Sequence, residues 1–205
     1  MDRTTILLPP DLRERAARHA KAQGKSLAEL IRDQLAAVVA GEDPTDDPWL
    51  ADGAVHGGPA VAVPEPPPLP SGTLFVAADA LVARHWRGHP EHARLQRAWA
   101  AVALRRPALI TTPTEVATAL TELARRTDPA FAAERGRRLA LAKHLTVVIP
   151  SADDQQAALD WLARWRDATA DHATCLAFTV ATRERVAGVI TAADPYRWAG
   201  FRVLP

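Results

Sequence analysis

Apolar and polar positions along the chain change rhythm three times. Arg3-Thr4-Thr5-Ile6-Leu7-Leu8 is a short β-capable run closed by Pro9-Pro10, whose missing N–H groups stop a ladder and preset a helix start. From Asp11 the period becomes helical: Leu12, Ala16 and Ala20 share a face, and Gly24 supplies a permissive C′ residue. Ser26-Leu27-Ala28-Glu29 has capping-box spacing, and Leu27, Leu30, Ile31, Leu35 and Val38 form the apolar stripe of a second helix. Residues 41–72 keep no sustained period. Alternation then resumes, with strands predicted at 73–76, 108–111, 145–149, 189–191 and 202–204. Helices are predicted at 92–104, from Pro113 through Leu123, from Asp128-Pro129 to about Lys143, from Ser151 through Leu162 and Trp165, and through Leu176 and Val180. Strands separated by helices predict a mostly parallel α/β sheet covered on both faces.

Composition explains the break in rhythm. Eight of the 17 prolines fall within 41–72, together with six carboxylates and no Lys or Arg. The net charge of +1 therefore divides into +2 for residues 1–40, −6 for 41–72 and +5 for 73–205. This predicts three parts with those boundaries, the middle one an extended connector. Arg and Ala are frequent throughout, so the positive charge reads as codon bias rather than as a nucleic-acid patch. A single cysteine, Cys175, excludes an internal disulfide and a cysteine zinc site. The absence of a long apolar run and of a signal-peptide core predicts a cytoplasmic protein that avoids membranes.

One strand and two helices in 40 residues cannot bury a sufficient core alone, so the head is expected to dimerise. Its residues Thr4 to Pro9, and Gly24-Lys25-Ser26-Leu27-Ala28-Glu29-Leu30-Ile31, resemble the ribbon-helix-helix DNA-binding fold of antitoxin-type repressors. The resemblance implies a homodimer whose paired strands enter the major groove of an operator. Alternation turns Ile6 and Leu8 inward and Arg3, Thr5 and Leu7 outward. Arg3 and Thr5 would meet bases or phosphates, and Lys25 and Ser26 a phosphate at the second helix's N-terminus. Leu7 stands where family members often carry a polar residue and can touch only a thymine methyl. The connector's Asp46-Asp47-Pro48-Trp49-Leu50-Ala51-Asp52 resembles the acidic tail with which such antitoxins cover their toxin, with Trp49 and Leu50 as the anchor. It is expected to dock on the chain's own C-terminal domain, in cis or in trans.

Residues 73–205 resemble a PIN domain, the fold of toxin ribonucleases in toxin–antitoxin pairs. The resemblance rests on Leu74-Phe75-Val76-Ala77-Ala78-Asp79-Ala80-Leu81, Ile110-Thr111-Thr112-Pro113, and Gly188-Val189-Ile190-Thr191 with the closing Gly200-Phe201-Arg202-Val203-Leu204. It implies three layers, helices about a mostly parallel sheet, and a set of carboxylates holding Mg²⁺ or Mn²⁺ that activates water at a phosphodiester. Here the matching positions are Ala77, Thr118, Thr174 and Ala193, all neutral. The nearest carboxylates, Asp79, Glu115, Asp171 and Asp194, are displaced from them. A helical step of three moves a side chain about 4.5 Å along the axis, too far for a metal ligand.

His85, His89 and His92 have ligand-like spacing, but Gly88 and Pro90 break the helix it requires, so they are expected in a solvated loop. Trp86, Trp99, Trp161, Trp165 and Trp198 are expected to pack a core or an interface. The leading expectation is a homodimeric operator-binding regulator, a fused toxin–antitoxin protein whose PIN body is a pseudoenzyme needing no cofactor. The alternatives are a Mg- or Mn-dependent endoribonuclease restrained by its own connector, and a non-enzymatic scaffold that binds RNA or protein.

Overall fold

The computed structural model describes residues 17, 20, 25–29, 31, 49, 55–57, 66–164 and 170–204. The chain divides into two compact units, Met1–Asp46 and Asp47–Pro205. In the first, the capping box at the head's second helix is formed: Ser26 Oγ accepts the Glu29 N–H at 3.2 Å, and Glu29 Oε2 accepts the Ser26 N–H at 2.8 Å. Arg3, Thr5, Leu7 and the predicted ribbon lie outside the described residues, as do Leu50 and Trp165.

The second unit is an α/β domain. Its elements in chain order are β1 Leu74–Val76, α1 Ala78–His85, α2 His92–Arg105, β2 Leu109–Thr111, α3 Pro113–Arg126, α4 Pro129–Ala140, β3 Leu145–Val147, α5 Ala152–Arg164, α6 His172–Arg183, β4 Gly188–Ile190, α7 Asp194–Trp198 and β5 Val203–Leu204. The five strands are parallel in the order β3-β2-β1-β4-β5. Alternation along these short strands sorts their side chains between two cores. Leu74, Val76, Leu109 and Ile190 pack toward α1, α2, α3 and α4. Phe75, Ile110 and Val189 pack toward α5, α6 and α7. Helix starts follow the local chemistry: Thr112 and Asp128 cap α3 and α4 with Pro in the first turn, and Ser151 with Asp154 forms a second capping box at α5.

The sheet places the functional edge. The chain builds outward from β1 through β2 to β3, then returns to lay β4 on the other side of β1. At such a reversal the loops leaving the two neighbouring strands diverge and open a crevice beyond their C-terminal ends. Those loops begin at Ala77 and Thr191.

Trp49 belongs to this second unit and is fully buried in it. Its ring meets that of Trp99 edge-on at 5.3 Å between centroids, and the Arg84 guanidinium lies 4.6 Å from the centre of each ring. Arg84 also donates to the Trp49 carbonyl at 2.9 Å. Further along the connector, His56 forms an isolated parallel bridge with Trp86: its N–H donates to the His85 carbonyl and its carbonyl accepts the Arg87 N–H.

Two expectations are corrected. His85 and His92 are not in a solvated loop. His85 closes α1 and His92 opens α2, both buried, and His92 Nδ1 lies 2.6 Å from the Ala83 carbonyl oxygen. The helix break at Gly88 and Pro90 is real, but it folds α2 back so that His92 meets α1, while His85 faces Val116, Leu120 and Leu123 of α3 and Leu139 of α4. Of the two roles expected for Trp198 the structure excludes the core: the residue ends the short α7 and is 57% exposed, which leaves an interface.

Candidate functional site

A cavity of about 590 Å³ opens at the crevice between the ends of β1 and β4. Ala77, Thr118, Thr174 and Ala193 all line it, so four positions spread over more than a hundred residues share one wall system. Each arrives there by a local device. Ala77 and Ala193 are the N-cap residues of α1 and α7, directly beyond β1 and β4. Thr118 lies in the second turn of α3, and Thr174 in the first turn of α6, with its N–H and hydroxyl donating to the Asp171 cap at 2.8 Å each.

Of the displaced carboxylates, Asp79, Glu115 and Asp171 line the same cavity. Asp194 does not; it is exposed and lies 3.8 Å from Arg197. Asp79, in the first turn of α1, accepts the Thr191 hydroxyl at 2.8 Å and the N–H groups of Ala192 at 2.7 Å and Ala80 at 2.9 Å. It thereby ties the end of β1 to the end of β4. Glu115 has the spacing to reach back to the Thr112 cap, yet its carboxylate turns inward instead. One oxygen accepts the Ala78 N–H and the other the Tyr196 hydroxyl at 3.0 Å.

These environments set the electrostatics. Burial raises the Glu115 carboxyl from its ordinary value to about 7, with Asp79 and Asp171 adding to the rise and the two hydrogen bonds opposing it. The Tyr196 hydroxyl is driven well above its usual value by burial and by Glu115. Burial lowers His89, which also lines the cavity, against the opposing pull of Asp79 and Glu91. His89 Nδ1 accepts the Glu91 N–H at 3.1 Å, so in the neutral ring the proton sits on Nε2. Glu122 and Arg125, one and two turns beyond Thr118 on α3, add to the polar lining.

The residues present do not fit a divalent cation. Hard ions need several anionic oxygens at close range, and the positions the PIN resemblance assigns to that task offer methyl groups and hydroxyls. Asp79 is committed to three donors, and Glu115 is a carboxyl that holds its proton to near neutrality. Among the described residues no group of three or more His, Cys, Asp or Glu is placed to hold a metal ion. Tyr196 is singled out by no motif, and His89 only by a metal-ligand spacing with His85 and His92, not by a place in this cavity. Tyr196 is recognisable in the sequence only as the lone tyrosine beside Asp194-Pro195.

No protein-family model matches the chain, and no curated protein matches it. The second unit is similar in structure to VapC20 of Mycobacterium tuberculosis, a sarcin-ricin loop cleaving toxin. That likeness has a TM-score of 0.56 at 22% sequence identity and covers 62% of this chain and 95% of that one. It shows that the C-terminal part shares the fold of that protein, consistent with a PIN-like domain. Among the described residues no helix is long and apolar enough to cross a membrane.

Proposed function

We propose that the chain is a toxin and its antitoxin fused in one polypeptide. Residues 73–205 form a PIN-type body directed at RNA, residues 41–72 are the antitoxin-like tail that covers it, and Trp49 is the tail's anchor. The observation that carries this reading is the burial of Trp49 between Trp99 and Arg84 of a body with a toxin's fold. The charge pattern supports it, since a segment of −6 is tethered in sequence to one of +5. The likeness to a toxin favours this reading over an operator-binding regulator. It says nothing of a shared substrate, and the cation-dependent form of the chemistry lacks its donor set.

The experiment is RNA retention measured by fluorescence anisotropy, with a sarcin-ricin-type stem-loop and a random single strand as probes. The full chain and its Trp49→Ala variant are compared at several salt concentrations. Tighter retention by Trp49→Ala is expected, because the tail then leaves the body. No retention by either protein refutes the reading.

The regulator reading keeps one specific support: the capping box at Ser26 and Glu29 sits where the ribbon-helix-helix resemblance places the start of the second helix. Head-mediated dimerisation and salt-dependent binding to the DNA upstream of its own gene, weakened by Arg3→Ala, would establish it. No preference over random DNA would remove it.

A further inference from the structure

The parallel sheet sorts charge as well as apolar side chains. At the C-terminal ends of its strands the cavity carries Asp79, Glu115, Glu122 and Asp171 against one arginine, Arg125. The opposite edge, where the five strands begin, is entered by the segments 69–73, 105–108, 141–144, 183–187 and 200–202. Those segments hold six cations, Arg105, Arg106, Lys143, Arg183, Arg185 and Arg202, and one carboxylate, Glu184. We infer that this basic edge, and not the cavity, is where RNA is held, by its phosphate backbone. The inference rests on the reading that the body is directed at RNA.

Backbone hydrogen bonds join these segments into one row. The Leu109 N–H donates to the His144 carbonyl at 2.8 Å, the Leu74 N–H to Ala108 at 2.9 Å, the Ala187 N–H to Thr73 at 2.8 Å and the Val189 N–H to Arg202 at 2.8 Å, so each segment is bonded to the next across the sheet. With neighbouring strands about 4.8 Å apart, the row from the start of β2 to the start of β5 runs about 14 Å, long enough to meet several phosphates of one strand. Arg105, Arg185 and Arg202 are exposed and Arg106 is half-buried. Among the described residues none of these four has an ion pair. Arg183, by contrast, is held by Asp154 and Glu184, which occupies the one carboxylate of the row. Beside Arg105 lies a recess of about 400 Å³ bounded by Leu69, Gly72, Pro107 and Ala108.

Two of these arginines occupy positions that helix-ending chemistry gives to glycine. Arg106 follows α2 at φ 47° and Arg185 follows α6 at φ 51°, and among the described residues no other non-glycine has a positive φ. After α6 the Val186 N–H reaches the Ala181 carbonyl and the Arg185 N–H the Thr182 carbonyl, a closing pattern whose left-handed residue is usually Gly. A side chain with a Cβ resists that conformation. Glycine's codons are as rich in G and C as arginine's, so the codon bias that accounts for arginine elsewhere does not account for it here. Arg106 and Arg185 lead into β2 and β4, the two strands that flank β1, and so set a charge on each side of the sheet's centre. A guanidinium there can donate in a fork to phosphate oxygens without reading a base. The carboxylates at the other edge repel the same backbone.

The test removes charge without endangering the fold. Arg106→Gly and Arg185→Gly together delete two cations and place at both points the residue the backbone prefers, so the double variant should melt no lower than the wild type. Retention of a random single-stranded RNA, a sarcin-ricin-type stem-loop and a duplex DNA is measured by anisotropy on the full chain and its Trp49→Ala form, each with and without the glycine pair. With two phosphate contacts gone, the plot of log affinity against log salt for the single strand should flatten by about 1.4, and affinity at about 0.1 M salt should fall about 20-fold. Arg137→Gln with Arg138→Gln on α4 removes equal charge elsewhere and should change affinity by less than about twofold. Unchanged retention in the glycine pair overturns the inference while the RNA reading stands, and so does an equal fall in the α4 pair, the mark of diffuse attraction. Tighter retention of the duplex DNA than of either RNA overturns the assignment to RNA. Self-association lost in the glycine pair by sedimentation, with RNA retention unchanged, overturns it in favour of the acidic connector of a second copy. No retention by any form removes both the inference and the reading it rests on.

Discussion

Removing the indole of Trp49 tests whether the connector is a docked tail or a spacer. The side chain is fully buried, stacked by Arg84 and edge-on to Trp99, which itself donates from Nε1 to the Ala80 carbonyl at 3.0 Å. Truncating a buried Trp to Ala typically costs about 3–5 kcal/mol, of which the aromatic pair supplies ~0.5–1.5 and the guanidinium stack a comparable share. For a domain of this size that lowers the melting temperature by roughly 6–20 °C. A compensation works against the full loss. The freed tail regains about 1–2 kcal/mol of backbone entropy per residue, so the variant can release the tail rather than unfold the body. Two readouts separate these outcomes: urea unfolding followed by circular dichroism for the body, and limited proteolysis of residues 41–72 for the tail. Trp49→Phe, which keeps an aromatic ring in the site, should restore most of both. A loss below about 1 kcal/mol combined with unchanged proteolysis would refute the docking argument.

Four further perturbations probe the cavity and the connector's bridge at His56. Glu115 binds its proton more tightly folded than unfolded. Its stabilising contribution is therefore complete below pH 4.5 and fades as pH rises to about 7, a change of about 3 kcal/mol that Glu115→Gln abolishes. Equal shifts in urea midpoint between pH 4.5 and 8 for both proteins would contradict this. Asp79→Ala deprives the buried Thr191 hydroxyl and the Ala192 N–H of their acceptor and should cost about 1–3 kcal/mol in the same assay. Calorimetric titration of the wild type with Mn²⁺ should give no saturable heat, and tight binding lost in Asp79→Ala would revive a metal site. At Gly88 a Cβ would fall 2.5 Å from the Trp86 ring, which lies beside Gly57, next to the backbone bridge of His56, and 5.5 Å from the Arg126 guanidinium. Gly88→Ala should therefore displace the ring, cost about 1–3 kcal/mol and speed hydrogen exchange at the His56 amide. An unchanged exchange rate would show that the ring does not support the bridge at His56.

Much of the fold was legible because it is written in local rules. Strand alternation, the Thr112-Pro113 and Asp128-Pro129 helix starts and the Ser151 to Asp154 box depend on residues a few positions apart. Helix α1 was missed for an equally local reason: Ala80 through His85 are all buried, so no polar face marks a helical period. The five-residue α7 is too short to show one. The displaced carboxylates were named from spacing alone, but spacing could not say that Asp79, Glu115 and Asp171 would share a cavity while Asp194 faced solvent.

By itself, then, the sequence determined the order of elements, the acidic connector between two basic parts, and the neutral residues where the PIN resemblance expects carboxylates. Those are properties of composition and of neighbours along the chain. Only the tertiary structure decided what the neutral positions surround, where Trp49 sits, and that Glu115 is a carboxyl poised near neutrality. Each of these depends on desolvation and on contacts between distant residues, such as Asp79 with Thr191, Glu115 with Tyr196, and Trp49 with Trp99. The register of a parallel sheet brings such residues together, and the cost of burying a charge cannot be known until the groups that bury it are in place.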